Sequence, residues 1–197
     1  NRNNVTIKNF GGINNYTIAI GGDGTGNNIT IFNNSITQVF DYSAFKNDFN
    51  AIALEPNGYN YSNISSNTIV LTGNTTGDAV IAMTGNYNDI SNNIVTTSVI
   101  GGSRAILVTG DSNNVTNNNV TASGQYQVLL EILGEQNIIN NNNLTSYENN
   151  SGGNGPALYL LNANLTEVTS NTITVWNDST EAVSLSSAYN NTINSNT

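Results

Sequence analysis

Ile64-Ser65-Ser66-Asn67-Thr68-Ile69 reads apolar, polar, polar, Asn, polar, apolar, and the same six-residue frame returns along the whole chain. Aligned on the Asn, the copies are Ile31/Asn34/Ile36, Ile64/Asn67/Ile69, Ile90/Asn93/Val95, Val115/Asn118/Val120, Ile139/Asn142/Leu144 and Val168/Asn171/Ile173, with Ile193/Asn196 at the end. Val5/Lys8/Phe10 reads as a degenerate first copy, with Lys8 in the place of the Asn. The anchors at 8, 34, 67, 93, 118, 142, 171 and 196 stand 26, 33, 26, 25, 24, 29 and 25 residues apart. Self-similarity in this range marks a solenoid.

Each unit carries a second apolar run: Tyr16 to Ile20, Ala51 to Leu54, Val80 to Met83, Ala105 to Val108, Val128 to Ile132, Ala157 to Leu161 and Ala182 to Leu185. Turns such as Gly85-Asn86, Gly110-Asp111 and Gly134-Glu135 follow. The runs are too short for helices and rich in Ile, Val and Leu, so they read as strands. A unit of this size cannot bury its own apolar side, but stacked units can pair each strand with its counterpart in the next coil. The expectation is an all-β, right-handed, single-stranded parallel β-helix of about seven or eight coils of about 25 residues. We read residues 1–197 as one domain belonging to a longer repeat protein, because the last copy stops one residue past its Asn.

Within the frame, the two apolar residues lie five positions apart, which would point them to opposite faces of a straight strand. A bend at the Asn returns both to the interior, and Asn tolerates the left-handed backbone that such a bend needs. Stacking then aligns Asn34, Asn67, Asn93, Asn118, Asn142, Asn171 and Asn196 as an internal ladder, each amide bonded along the axis.

Composition excludes several function classes. Charged residues make up 9% of the chain, four Lys and Arg against 13 Asp and Glu, for a net charge of −9. No basic patch exists for phosphate contacts, so nucleic acid is not an expected partner. Cys and His are absent, which removes zinc fingers, thiolate sites, disulfides and His-dependent catalysis within these residues. Neither a metal nor a cofactor is expected. No apolar run approaches the ~20 residues of a membrane span.

The frames Asn63-Ile64-Ser65-Ser66-Asn67-Thr68-Ile69 and Asn114-Val115-Thr116-Asn117-Asn118-Asn119-Val120 resemble the right-handed parallel β-helix repeats of the NosD and pectate-lyase-like group. The likeness covers nearly the whole chain and is strongest to the Asn-, Thr- and Ile-rich adhesin-like surface proteins of methanogenic archaea. It implies the fold, while activity within the group ranges from lyases and epimerases to passive surface stalks.

Four local features carry candidate functions. Asp78, Arg104, Gln127, Pro156 and Glu181 fall at one phase, so Asp78 and Arg104 are expected to touch on adjacent coils. One ion pair without a second carboxylate is a surface pair rather than a catalytic dyad, and no catalytic residue is assigned. Gly21-Gly22-Asp23-Gly24-Thr25-Gly26-Asn27-Asn28 echoes a calcium-binding nonapeptide but lacks the tandem copies, and reads as an inter-strand loop. Phe40, Tyr42, Phe45, Phe49, Tyr59 and Tyr61 cluster where the spacing stretches to 33 residues. They are the candidate binding patch for a glycan or a protein, and Tyr61 should stack on Tyr87 in the next coil. Fourteen Asn-x-Ser/Thr sequons occur, many of them written by the repeat itself, and Asn74, Asn149 and Asn177 are the loop acceptors expected to carry glycan.

The functional expectation is a non-enzymatic extracellular protein: a rigid stalk, adhesin or wall component at the cell surface. Its expected partners are a glycan or a surface protein, and further coils or copies of itself at its open ends. The alternatives are a polysaccharide-modifying enzyme or its carbohydrate-binding module, and a self-assembling filament subunit.

Overall fold

The computed structural model describes residues 3–9, 17–40, 49–74, 79–100, 103–124, 127–147, 155–176 and 180–197, with backbone alone through residue 19 and at 22–25, 40, 49, 56–57, 74 and 100. Twenty-one strands, numbered in chain order, form three parallel sheets, each seven strands deep. No described residue is helical.

Sheet A stacks β1 (Asn3–Asn9), β4 (Asn34–Phe40), β7 (Thr68–Asn74), β10 (Ile94–Ile100), β13 (Asn119–Ala122), β16 (Asn143–Ser146) and β19 (Thr172–Val175). Sheet B stacks β2 (Thr17–Asn27), β5 (Phe49–Asn60), β8 (Ala79–Thr84), β11 (Arg104–Thr109), β14 (Val128–Leu133), β17 (Leu158–Leu161) and β20 (Val183–Ser186). Sheet C stacks the three-residue strands β3 (Thr30–Phe32), β6 (Asn63–Ser65), β9 (Asp89–Ser91), β12 (Asn114–Thr116), β15 (Ile138–Asn140), β18 (Glu167–Thr169) and β21 (Thr192–Asn194). The chain repeats the cycle B, C, A, as a parallel β-solenoid must when each strand pairs only with its homologue one coil away. The second apolar runs of the sequence are sheet B, and the two halves of the hexad are sheets C and A.

The hexad makes the corner between C and A. Its flanking residues point inward: Ile64 and Ile69, Ile90 and Val95, Val115 and Val120, and Ile139 and Leu144 are fully buried. They meet Ile52, Ile81, Met83, Ile106, Leu130 and Ile132 of sheet B in one continuous core.

The bend is real but sits one residue earlier than expected. The left-handed residues are Asn33, Ser66, Asn92, Asn117, Asn141, Ser170 and Ser195, with φ between 55° and 57°; the ladder Asn that follows is not among them. The division of labour has a physical reason. The left-handed residue turns its own side chain outward, and the next residue then points inward beneath the turned backbone, where an amide can meet the freed peptide groups.

Two further expectations are corrected. Register pairs Asn3 with Asn34 and Val5 with Ile36, and sets Lys8 against Val39, so the first copy is framed on Asn3 and Lys8 is not its rung. Gly21 to Asn27 belong to β2, paired with β5 through an irregularity between Gly24 and Gly26, and do not form a free loop.

Candidate functional site

At the C-to-A corner, each ladder amide is completely used. Asn93 shows the pattern: its Oδ1 accepts the backbone N–H of Asn67 at 3.0 Å and the Nδ2 of Asn67 at 3.0 Å. Its own Nδ2 donates to the carbonyl of Ile64 at 2.8 Å and to Oδ1 of Asn118 at 3.0 Å. The same bonds recur from Asn34 to Asn67, Asn118 to Asn142, Asn142 to Asn171 and Asn171 to Asn196. Asn is the residue this position requires, because Asp lacks the two donors and Gln is one methylene too long.

A second ladder, which the sequence reading missed, lines the B-to-C corner. Ser62, Asn88, Asn113, Asn137 and Thr166 are buried there. Oδ1 of Asn88 accepts the N–H of Ser62 at 2.8 Å, Oδ1 of Asn113 accepts that of Asn88 at 2.9 Å, and Oδ1 of Asn137 accepts that of Asn113 at 2.8 Å. Each member again follows a left-handed residue: Tyr61, Tyr87, Ser112, Gln136 and Leu165. The signal was present as an Asn five positions before each hexad Asn at 88, 113, 137 and 191, but Ser62 and Thr166 interrupt it.

The one described ion pair joins Arg104 Nε to Glu131 Oε2 across neighbouring strands of sheet B, with the Glu131 side chain only 4% exposed. Register places Arg104 opposite Ala79 and Val128, so Asp78 and Gln127 are one residue out of phase with it. Asp78 itself lies outside the described residues, as do Asp178 and the loop acceptors Asn149 and Asn177. Asn74 ends β7 and its side chain is not described. On sheet C, the Asp89 carboxylate accepts hydrogen bonds from Asn63 Nδ2, Ser91 Oγ and Asn114 Nδ2. These two acidic groups are therefore engaged with neighbouring coils. Among the described residues, no three Asp or Glu gather as a metal-binding group.

The six aromatic residues of the stretched interval separate. Tyr42 and Phe45 lie outside the described residues, and Phe40 and Phe49 are placed only as backbone of β4 and β5. Tyr59 is 5% exposed and belongs to the core, its ring against Gly26, which removes it from any exposed patch. Tyr61 is exposed and stacks on Tyr87 with ring centroids 5.1 Å apart and planes 5° apart. A second stack, between exposed Tyr147 and Trp176 at 6.0 Å and 18°, has no counterpart in the sequence reading. The signal was present in the repeat, since Tyr147 and Trp176 each stand five residues past a ladder Asn, Asn142 and Asn171.

The outer face of sheet A differs from the rest of the surface. Its strands β4, β7, β10, β13, β16 and β19 contain no charged residue, Lys8 standing apart on the terminal strand β1, whereas the strands of sheets B and C carry Glu55, Asp89, Arg104 and Glu167 outside the core. Register aligns Thr37, Val70, Thr96, Thr121, Thr145 and Thr174 in one outward row. A flanking row holds Ser35, Thr68, Ile94, Asn119, Asn143 and Thr172. Rows are about 6.6 Å apart along the strand and rungs about 4.8 Å apart along the axis. Asn143 Nδ2 donates to Asn119 Oδ1 at 3.2 Å, linking two neighbouring coils within this row.

No family model matches this chain, and no curated protein or solved structure shows significant similarity to it.

Proposed function

We propose that this chain is a non-enzymatic structural module of an extracellular surface protein, a rigid β-solenoid that spaces and displays an outer binding face. One observation carries this reading: the two corner ladders run along the axis and consume buried polar side chains as architecture, coil after coil. An enzyme on such a scaffold needs an acid and a base converging beside a stabilising cation. Arg104, a described cation, is instead committed to Glu131 within the sheet. The low charge, the acidic balance and the likeness of the frames to surface-stalk repeats support placement outside the cell.

The test has two arms. Antibody against the chain should label intact source cells, and the purified protein should resist thermolysin while leaving pectin, alginate and uronate oligomers unchanged. Labelling that requires lysis overturns the placement. Turnover of an acidic polysaccharide, lost in Asp78→Asn or Glu131→Gln, establishes the enzymatic alternative.

A further inference from the structure

We infer that the outer face of sheet A is a docking surface for an ordered neutral polysaccharide; this rests on the surface-module reading above and names its ligand class. Neutrality is the first step. The chain carries a net charge of −9, and a polyanion meeting it is repelled unless a cation compensates locally. The six strands from β4 to β19 offer none. A neutral, hydroxyl-rich chain meets no repulsion there, and its binding strips water from no ion.

The chemistry of the rows is the second step. Thr121, Thr145 and Thr174 each present a hydroxyl that donates and accepts beside a methyl group, and Asn119 and Asn143 add amides that do both. Sugar rings ask for this alternation of polar and apolar contact. β-Branched side chains on a parallel sheet are held in few rotamers, so the face is ordered before binding and loses little freedom when a ligand arrives.

The third step is aromatic. Tyr147 and Trp176, 49% and 68% exposed, follow directly on β16 and β19, and their N–H groups continue the sheet by bonding to the carbonyls of Ala122 and Ser146. The stacked pair therefore extends the third outward position of the same face, past Thr145 and Thr174. Exposed Tyr and Trp with one apolar side and one polar edge are the side chains enriched at recognition surfaces. A repeating array of rows with an aromatic end suits a solid or extended glycan rather than a single sugar, which would touch too few groups.

Pull-down on microcrystalline cellulose, chitin and starch granules tests this, with polygalacturonate and alginate gels as acidic arms. Retention on at least one neutral solid, undiminished at about 1 M salt, is the expected result. Thr121→Lys combined with Thr145→Lys should reduce retention at least tenfold, Trp176→Ala should reduce it severalfold, and Thr116→Lys on sheet C should leave it unchanged. Unfolding curves matching the unaltered protein show that the variants are folded. Retention that survives the double substitution, preference for the acidic gels, ice-growth inhibition without glycan binding, or concentration-dependent self-association through this face each overturns the inference. A surface-displayed, protease-resistant chain that binds no neutral solid overturns this inference alone and leaves the structural-module reading in place.

Discussion

Asn118 accepts two hydrogen bonds from Asn93 on a single side-chain oxygen, one from the backbone N–H and one from the amide nitrogen, both at 3.0 Å. It returns its own amide hydrogens to the carbonyl of Ile90 and to Asn142. The residue thus closes three coils at once, and its loss strands two buried donors of Asn93. Asn118→Ala should destabilise the fold by roughly 3–5 kcal/mol, from about 1–3 for each unpaired buried group. Asn196, at the last described rung and partly exposed, should cost less. Urea unfolding of both variants measures the difference.

The second ladder is unevenly bonded: the Asn137 amide nitrogen donates to the carbonyl of Gly110 at 3.0 Å, whereas those of Asn88 and Asn113 find no partner among the described residues. Asn113 accepts from the N–H of Asn88 at 2.9 Å, but its own amide nitrogen has no partner among the described residues. Asn113→Ala should therefore cost about 1–2 kcal/mol, well below Asn118→Ala. Equal losses at the two positions would show that the ladders contribute alike.

Gly110 has φ of +130° at the end of β11, and a Cβ placed on it would lie 2.2 Å from the carbonyl oxygen of Gly85 in the neighbouring coil. Neither the backbone angle nor the approach of the two main chains tolerates a side chain. Gly110→Ala is expected to cost about 3 kcal/mol or more, with hydrogen exchange accelerating first in the turns that hold Gly85, Gly110 and Gly134.

Leu165 occupies the left-handed position of the B-to-C corner, with φ of 54°, and it is half-exposed. Leu is poorly suited to this conformation, whereas the equivalent Asn190 in the next coil is well suited. Leu165→Asn should stabilise the protein by about 1 kcal/mol, read as an increase in denaturation midpoint with unchanged slope.

Arg104 and Glu131 form a pair whose carboxylate is buried. Arg104→Met alone should destabilise by roughly 3 kcal/mol, because it leaves that charge without a partner. Arg104→Met with Glu131→Met should recover most of the loss, since removing both charges removes the desolvation cost as well. A double variant no more stable than the single would mean that the pair has no coupling.

Much of this architecture was legible in one dimension. The hexad carries both its strand assignment and its ladder, because a period of about 25 residues can satisfy its apolar positions only by stacking, and a buried amide at the same phase of every coil can bond only to its neighbours. The stacking of Tyr61 on Tyr87 followed from phase alone. What was misjudged lay within one residue: the bend precedes the Asn, Asn3 rather than Lys8 begins the series, and Arg104 stands in register with Ala79, one residue past Asp78. Periodicity locates a coil but does not resolve single-residue register, since a shift of one moves every side chain to the other face.

The sequence by itself determined the solenoid, the core and the inward Asn ladder, for these depend on repetition that any stacked arrangement must respect. Only the tertiary structure decided which polar residues face out together. The Thr and Asn rows of sheet A are each separated by some 25 residues in the chain and become a surface only when coils align at about 4.8 Å. Tyr147 and Trp176 share a phase, five residues past Asn142 and Asn171, but the contact of their rings at 6.0 Å is a property of the aligned coils.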